Sequence, residues 1–384
     1  PQWGTGTRVA AMLDEDHLVA VVTEDGRRRL MALRRLSGEA EEWQSGWAPV
    51  GGVVARDGRV VLGAAGETEG PAIVRLDLAA ATAIVLRRGG PTVLEPADIS
   101  RPEPLSWPVT VPTGDGAAAG EPETAFGFFY APTNSAVTAP EGELPPVLVM
   151  VHGGPTAATS PTYTTGIQFW TTRGIAVLDV NYGGSTGYGR AYQDRLDGRW
   201  GLVDVADCAA GVRHLVDTGR VDGARVGIRG GSAGGFTTLA ALTSTDVFTA
   251  GASYYGVADL EALATDTHKF ESRYLDGLVA PYPDGRAVYR DRSPIDHLDR
   301  LSAPVVILQG SDDAVVPKNQ ATMLADALRA KGLPVALRVY DGEGHGFRKA
   351  ENIQDSAAAE LSFYGQVWGF TPAGDIPVLP VENL

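Results

Sequence analysis

Two segments of the chain match Gly-x-Ser-x-Gly, the pattern that surrounds the nucleophilic serine of many hydrolases. They are GGSAG at residues 230–234 and GGSTG at residues 183–187. Because the chain contains 48 glycines, the pattern alone is weak support for a site. A nucleophilic serine also requires a strand before it, small residues around it and a helix directly behind it, since that sharp turn exposes the hydroxyl.

Sequence context favours Ser232 over Ser185 as the nucleophile. The run RVGIRG at 225–230 predicts a strand before Ser232, and AGGFTTLAALTS at 233–244 predicts a helix behind it. No apolar helical period follows Ser185, which we assign to a glycine-rich loop near the site, where glycines serve backbone geometry. A serine hydroxyl becomes a strong nucleophile when a base takes its proton, and a helix N-terminus favours the negative charge that develops.

Three histidines follow Ser232 in the chain, and one of them suits the role of general base. His345 ends the last clear strand pattern, VALRVYDGEGH at 335–345, and glycines flank it. A histidine on such a loop can turn its imidazole toward the serine. His268 and His297 lie in helical or irregular stretches, and we interpret them as structural or substrate-wall residues.

The carboxylate that orients the base should follow the predicted strand PVVILQG at 304–310. In hydrolases of this kind the order along the chain is serine, then the acid, then histidine, each at the end of a strand. Asp312 and Asp313 both meet this requirement. Adjacent residues of an extended segment point in opposite directions, so only one of the two can face the base.

An acyl-transfer site also needs backbone N–H donors for the oxyanion of the tetrahedral intermediate. Ala233, directly after the nucleophile, supplies the first donor in the predicted arrangement. The second should come from HGGP at 152–155, which follows the apolar run VLVMV, and we assign it to Gly153. His152 precedes the serine in the chain, so we interpret it as shaping this loop and not as the base.

The elements that would position these residues fall into three regions. Residues 1–98 hold apolar runs separated by Asp-Gly pairs, which predict hairpins. Short strands at regular spacing indicate propeller blades or part of a sandwich. Two or three hairpins cannot close a propeller, so this region is incomplete by itself. Residues 99–123 are rich in proline and glycine and predict a linker. Strand and helix patterns alternate over 124–384, which predicts an α/β fold with a mostly parallel sheet.

Composition narrows the possible partners. The net charge of −15 argues against nucleic acid or an anionic membrane as a partner. The single cysteine, Cys208, excludes an internal disulfide and a cysteine-rich metal site. With no signal peptide and no apolar run of membrane-spanning length, we expect a cytoplasmic protein without metal or cofactor. The chain begins at Pro1 without an initiator methionine, so we expect it to be processed, truncated or a piece of a longer polypeptide.

With these motifs in one order, residues 99–370 resemble the prolyl oligopeptidase family of serine peptidases, and above all its acylaminoacyl-peptidase and dipeptidyl-aminopeptidase-like branch. The resemblance implies an α/β-hydrolase fold at residues 124–384. It also implies that residues 1–98 form the last two or three blades of an incomplete β-propeller. Six segments carry it, and they hold spacing as well as identity: HGGP at 152–155, NYGGSTGYGR at 181–190, GGSAGGFTTL at 230–239, HKFESRYLDGL at 268–278, LQGSDDAVVP at 308–317 and GEGHGFRKAENI at 342–353.

The resemblance also implies roles for residues that spacing alone does not assign. The triad aspartate of the family lies three residues past the glycine of the fifth segment, which selects Asp313. The aromatic pair of the fourth segment, here Phe270 and Tyr274, walls the S1 pocket in related members. Arg273 and Glu271 are candidates for binding the carbonyl or amino group of the substrate, with a structural ion pair as the alternative.

We therefore predict a serine peptidase that acts on short peptides, of the aminopeptidase or acylaminoacyl-peptidase type. A carboxylesterase is the alternative, because the same triad cleaves esters more easily. A catalytically silent binding protein is disfavoured by the complete set of nucleophile, base, acid and oxyanion loop. The resemblance further implies that the remaining propeller lies on a separate fragment of the same precursor, and unpaired blade edges hint at a homo-oligomer.

Overall fold

The computed structural model describes residues 8–77, 80, 82–91, 93–112, 121–267, 269 and 271–384. The strands of these residues are β1 Ala10–Met12, β2 His17–Glu24, β3 Arg27–Arg34, β4 Ala40–Glu42, β5 Ala48–Arg56, β6 Arg59–Ala65, β7 Ala72–Asp77, β8 Thr82–Arg88, β9 Glu103–Val109, β10 Glu123–Tyr130, β11 Val147–Val151, β12 Ala176–Asn181, β13 Val226–Gly231, β14 Ala250–Tyr254, β15 Val305–Gly310 and β16 Val335–Tyr340. Their α-helices are α1 Thr165–Thr171, α2 Arg190–Asp194, α3 Val203–Asp217, α4 Ala233–Ser244, α5 Leu260–Asp266, α6 Tyr274–Leu278, α7 Arg286–Arg292, α8 Lys318–Ala330 and α9 Ala350–Trp368.

Two four-stranded antiparallel sheets form the N-terminal region, β1–β4 and β5–β8. The hairpins β2–β3 and β5–β6 turn at the predicted Asp25-Gly26 and Asp57-Gly58 pairs. All four turn residues have positive φ, 50° at each aspartate and 71° at each glycine. Such turns match the right-handed twist of the flanking strands, which is why Asp-Gly predicts hairpins well.

The two N-terminal sheets share one apolar core. Their alternating strands turn one face inward, where the buried side chains include Val19, Leu30, Val53, Val60 and Val74. The second sheet leaves other apolar side chains exposed, among them Ile73, Ile84 and Leu86. Two blade-like sheets fit the predicted partial propeller, which is confirmed.

A mixed sheet of eight strands dominates the rest of the chain, in the order β16-β15-β14-β13-β11-β12-β10-β9. The six strands from β16 to β12 in this order are mutually parallel, and β10 and β9 are antiparallel additions at one edge. Apolar clusters lie on both faces, with α3, α4 and α8 covering one and α1 and α9 the other. The predicted α/β-hydrolase fold is confirmed, and the carboxyl ends of its parallel strands meet at one edge.

One strand of this sheet lies inside the segment that the sequence predicts as a linker. Residues 103–109 form β9, which pairs with β10 over its whole length. Pro104 and Pro108 conceal it in the sequence, because proline suggests a turn, yet an edge strand tolerates proline where its N–H would face solvent. Trp107 anchors the strand: its side chain is buried, and its Nε1 donates a 3.0 Å hydrogen bond to the carbonyl oxygen of Asp207.

Candidate active site

Ser232 lies at a tight turn between β13 and α4. Its φ of 57° and ψ of −120° are strained for a residue with a side chain. The surrounding glycines allow the turn: a Cβ atom at Gly230 would collide with the backbone of Gly234, and one at Gly234 would collide with the carbonyl oxygen of Val151. The small residues around the serine are therefore required by close backbone contacts.

Three side chains that the sequence singles out form one hydrogen-bonded line. The Nε2 atom of His345 lies 2.8 Å from Ser232 Oγ, and its Nδ1 atom lies 2.9 Å from Asp313 Oδ2. A carboxylate only accepts hydrogen bonds, so Nδ1 carries the proton and the lone pair of Nε2 faces the serine hydroxyl. This arrangement can accept the serine proton as the hydroxyl attacks.

The loop after β15 fixes Asp313 as an acceptor. Its Oδ1 atom accepts the backbone N–H groups of Val315 and Val316, each at 2.9 Å. Burial acts to raise the pKa of Asp313, but the hydrogen bonds from His345 and from these N–H groups outweigh it, and the pKa is lowered. Asp312, the alternative in the sequence, is exposed and accepts a hydrogen bond from Ser311.

A buried carboxylate two residues before His345 holds the histidine loop. Glu343 accepts hydrogen bonds from the backbone N–H groups of Arg348 and Lys349, both at 2.9 Å, and from Asn352 Nδ2 at 2.8 Å. Arg348 and Lys349 lie directly before α9 and Asn352 lies in its first turn, so the carboxylate ties the loop to the helix. The sequence marks Glu343 only as part of a motif and gives no sign of this function.

Tyr255 is a second neighbour of His345 that the sequence does not indicate. The two rings meet edge to face, with their centroids 5.0 Å apart. Tyr255 has a φ of 37°, and its N–H donates to the carbonyl oxygen of Leu308 at 2.8 Å. The aromatic ring thus limits the space in which the imidazole can turn.

A cavity of about 220 Å³ opens beside Ser232 and His345. Its walls are mainly apolar, and most of them come from segments distant in the chain: Gly154, Pro155, Trp200, Ser232, Ala233, Val257, Leu263, Glu271, Tyr274, Leu275, Val315, Val316 and His345. Tyr274 is fixed there by a 2.7 Å hydrogen bond between its hydroxyl and Thr156 Oγ1. The predicted Tyr274 and Glu271 therefore line the same cavity as Ser232.

The other two residues predicted to line the substrate pocket are Arg273 and Phe270. Arg273 does not line the cavity: its side chain is 79% exposed, and its Nε forms a 2.6 Å ion pair with Asp276. The two residues are three apart at the start of α6, a spacing that brings side chains together on a helix surface. Phe270 lies outside the described residues, and so does His268. His297 bonds the carbonyl oxygen of Asp291 through Nε2, away from Ser232.

The predicted oxyanion donors lie on the two elements that border the serine. Ala233 is the first residue of α4 and lines the cavity. A Cβ atom at Gly153 would be 3.7 Å from Ser232 Cβ, and the adjacent Gly154 lines the cavity itself. Gly153 therefore lies close to the nucleophile, and Gly154 shares its cavity.

Among the described residues, no group of three or more His, Cys, Asp or Glu side chains is arranged to hold a metal ion. None of the helices in the described ranges combines the length and apolar character needed to cross a membrane.

Known proteins with similar sequences are serine peptidases and related enzymes of one family. A sequence model of the prolyl oligopeptidase family (Peptidase_S9) matches residues 161–371. Dipeptidyl aminopeptidase BIII of Pseudoxanthomonas mexicana is 33% identical over 230 residues, covering 58% of this chain and 33% of that protein. The acylamino-acid-releasing enzyme of Arabidopsis thaliana is 28% identical over 226 residues, covering 56% of this chain and 29% of that enzyme.

Solved structures extend the likeness to the whole chain. A puromycin-hydrolyzing peptidase of Mycobacterium tuberculosis is 42% identical with a TM-score of 0.92, covering 100% of this chain and 56% of that one. A puromycin hydrolase is 40% identical with a TM-score of 0.90, covering 99% of this chain and 56% of that one. The acylaminoacyl peptidase of Pyrococcus horikoshii shares the fold. It is 21% identical with a TM-score of 0.78, covering 96% of this chain and 57% of that one. The chain thus spans about a third of the curated relatives and just over half of these structures.

Proposed function

The chain belongs to the prolyl oligopeptidase family, and we propose that it is a serine peptidase that cleaves the amide bonds of short peptides or aminoacyl amides. One observation carries the proposal: the line of hydrogen bonds from Ser232 through His345 to Asp313 opens on an apolar cavity. An activated serine beside a pocket for a side chain is what acyl transfer requires.

In the proposed reaction, Ser232 Oγ attacks the substrate carbonyl carbon while His345 Nε2 takes its proton. Asp313 keeps the imidazole in the productive tautomer and stabilises the imidazolium that forms. The oxyanion accepts hydrogen bonds from the N–H of Ala233 and from the loop of Gly153. His345 then gives its proton to the leaving amine, and an acyl-enzyme remains. A water molecule, deprotonated by His345, cleaves the ester and restores the serine.

The walls of the cavity favour a large apolar side chain at the acyl position. Trp200, Leu263, Leu275 and Val316 contribute apolar surface, and burying a substrate side chain there gains about 25 cal/mol for each Å² removed from water. We therefore expect aromatic and long aliphatic residues to be preferred over glycine and alanine.

Glu271 favours substrates with a free amino group. The residue lines the cavity, and its Oε2 atom accepts a 3.1 Å hydrogen bond from Thr267 Oγ1. A carboxylate at this position would attract the ammonium of an aminoacyl group, whereas an acylated terminus carries no charge. Two solved relatives are named for hydrolysing puromycin, and puromycin is itself an aromatic aminoacyl amide with a free amino group. We accordingly expect aminoacyl amides with a free amino group to be cleaved faster than their N-acylated counterparts.

The test is hydrolysis of matched p-nitroanilides by the wild type and by Ser232→Ala. Phenylalanyl, leucyl and lysyl anilides report the side-chain preference, and N-acetylphenylalanyl and dipeptidyl anilides report the amino-terminal requirement. The proposal expects phenylalanyl or leucyl anilide to be cleaved best, by the wild type alone. Hydrolysis of short acyl esters only, with no anilide cleaved, would replace the peptidase with the carboxylesterase alternative.

We propose that the second N-terminal sheet packs against a further partner. The exposed Ile73, Ile84 and Leu86 on the second N-terminal sheet support packing against further propeller blades, supplied by a fragment of the same precursor. Native and denaturing mass measurements test this: a single species of 40.3 kDa in both would contradict it. We also propose a cytoplasmic location, which the low cysteine content of the sequence supports.

A further inference from the structure

Trp200 lines the cavity beside Ser232 and carries a buried hydrogen-bond donor without an acceptor. Its side chain is 2% exposed and forms part of the cavity wall. Its indole Nε1 is buried and has no hydrogen-bond partner among the described residues. An indole nitrogen only donates, so no change of tautomer can remove its need for an acceptor. Because buried polar groups of native proteins almost always have a partner, we expect a bound molecule to supply one here.

The other polar side chains of the cavity wall are already engaged. The hydroxyl of Tyr274 lies 2.7 Å from Thr156 Oγ1, and Glu271 Oε2 accepts a 3.1 Å hydrogen bond from Thr267 Oγ1. The nucleophile and the base form a hydrogen bond with each other. Within the described part of the wall, the indole N–H of Trp200 is therefore the side-chain donor that is left for a substrate.

The backbone of Trp200 is held on both sides, which fixes where the indole lies. Its N–H donates to the carbonyl oxygen of Leu278 at 3.1 Å, and its carbonyl oxygen accepts a 3.2 Å hydrogen bond from Arg292 Nη1. The indole packs against the ring of Phe236, with centroids 4.5 Å apart and an angle of 52° between the planes. An aromatic ring is at best a weak acceptor, so this contact does not replace an oxygen atom.

The position of Phe236 indicates which part of a substrate Trp200 would meet. The N–H of Phe236 donates to the carbonyl oxygen of Ser232 at 3.0 Å, so Phe236 lies one turn of α4 beyond the nucleophile. One helical turn rises about 5.4 Å. Because Trp200 packs on Phe236, it would meet the side chain of a bound acyl group and not the reacting carbonyl. An acceptor for the indole would thus belong at the far end of that side chain.

We propose that Trp200 is a specificity-determining residue whose indole N–H donates a hydrogen bond to an acceptor atom at the far end of the substrate side chain. Tyrosyl amides fit this description, because the ring can pack on the apolar walls while the phenolic oxygen accepts. The inference rests on the proposed function, since it names the side chain that the proposed peptidase takes. It makes tyrosine the preferred aromatic residue, ahead of phenylalanine.

The preference follows from the pairing of donors before and after binding. In the free enzyme the donor is buried and unpaired, so a substrate that brings an acceptor gains a hydrogen bond without breaking another within the protein. A phenyl ring leaves the donor as it was. Without the indole N–H, the phenolic hydroxyl would itself be buried among mainly apolar walls without a donor, so tyrosine should lose its advantage.

The test compares tyrosyl, 4-methylphenylalanyl and phenylalanyl p-nitroanilides with the wild type and Trp200→Phe. A methyl group is similar in size to a hydroxyl group but accepts no hydrogen bond, so the tyrosyl to 4-methylphenylalanyl ratio of kcat/KM isolates the acceptor. For the wild type we expect a ratio of about ten, the factor that one neutral hydrogen bond supplies. For Trp200→Phe, which keeps an aromatic ring, we expect the ratio to fall to about one or below.

Tyr274→Phe is the matched control for the shape of the cavity. It also removes a donor from the wall, but that hydroxyl is already paired with Thr156, so the substrate ratio should stay close to that of the wild type. A ratio lowered equally by Tyr274→Phe and by Trp200→Phe would show a general change of the cavity and would overturn the proposal.

Binding to an inactive protein separates this proposal from the proposed function. L-tyrosinamide and 4-methyl-L-phenylalaninamide carry the two side chains, and calorimetry gives their Kd values for Ser232→Ala with and without Trp200→Phe. We expect tyrosinamide to bind about tenfold more tightly, and only where Trp200 is present.

The two readouts distinguish the possible failures. If no anilide is hydrolysed but the difference in Kd appears, the proposed function fails and the contact with Trp200 stands. If anilides are hydrolysed with a wild-type ratio near one and the two amides bind equally, a water molecule or no partner serves the indole, and only the Trp200 proposal is overturned. Should Trp200→Phe not fold, the wild-type ratio decides, with a value near ten supporting the proposal and a value near one overturning it.

Discussion

The Nε2 atom of His345 lies 2.8 Å from the Oγ atom of Ser232, although 113 residues separate them in the chain. The two side chains come from loops at the carboxyl ends of different strands of the same sheet, β13 and β16. Parallel strands bring such ends together, and the hydrogen bond is therefore a product of sheet topology.

Replacing the nucleophile should abolish turnover without unfolding the protein. For Ser232→Ala we expect kcat to fall by about 10⁴-fold or more, because the remaining groups cannot form an acyl-enzyme. Anilide hydrolysis and labelling by a fluorophosphonate probe measure this, with thermal unfolding as the check on folding. Labelling of the variant at the level of the wild type would show that another residue is the nucleophile.

Asp313→Asn should lower kcat by about 10⁴-fold, because an amide favours the wrong tautomer of His345. The adjacent Asp312→Asn is the matched control: that side chain is exposed, so its kcat should stay within about twofold of the wild type. Parallel kinetics of the two variants check this. A larger loss in the Asp312 variant would reverse the assignment of the acid.

The lowered pKa of Asp313 predicts a pH dependence of stability. Its folded pKa lies below the ordinary value of 3.8, so the unfolded chain binds more protons between the two values. The stabilisation from this carboxylate is full well above pH 3.8 and is lost as the pH falls through the folded pKa. Thermal unfolding of the wild type and Asp313→Asn from pH 7 to pH 2.5 should show a stability difference that shrinks in the most acid samples. A difference that stays constant would contradict the lowered pKa.

Glu271→Gln should raise KM for phenylalanyl p-nitroanilide by about tenfold, since a charge-assisted hydrogen bond contributes about 1.5–3 kcal/mol. The KM for N-acetylphenylalanyl p-nitroanilide should not rise, because that substrate has no ammonium. Arg273→Gln is the control variant, being exposed and outside the cavity wall. Equal effects of Glu271→Gln on both substrates would show that Glu271 does not bind the amino group.

Gly230→Ala should destabilise the fold, because the added methyl group would overlap the backbone of Gly234. We expect a loss of about 3 kcal/mol in the free energy of unfolding, which is the upper range for an extra group forced into a packed core. Gly166→Ala is the control: nothing lies within 4 Å of a Cβ atom there, and α1 should gain up to about 1 kcal/mol. Chemical denaturation of both variants gives the comparison. A neutral Gly230→Ala would mean that the turn can relax without cost.

Much of the site could be predicted because its signals are local. The strand before Ser232, the helix after it and the glycines between them are adjacent in the sequence, so their patterns identify the turn. Asp313 needed more than local pattern, since spacing alone left Asp312 equally possible and only the family resemblance separated them.

Tertiary structure decided the features that depend on distant contacts. The sequence determined the class of fold, the position of the Ser232 turn and the loop of His345. It did not show β9, whose prolines are acceptable only at the sheet edge where β9 lies, nor that Arg273 pairs with Asp276 at the surface. The cavity walls and the hydrogen bond between Ser232 and His345 join segments far apart in the chain, and such contacts follow from packing and not from local pattern.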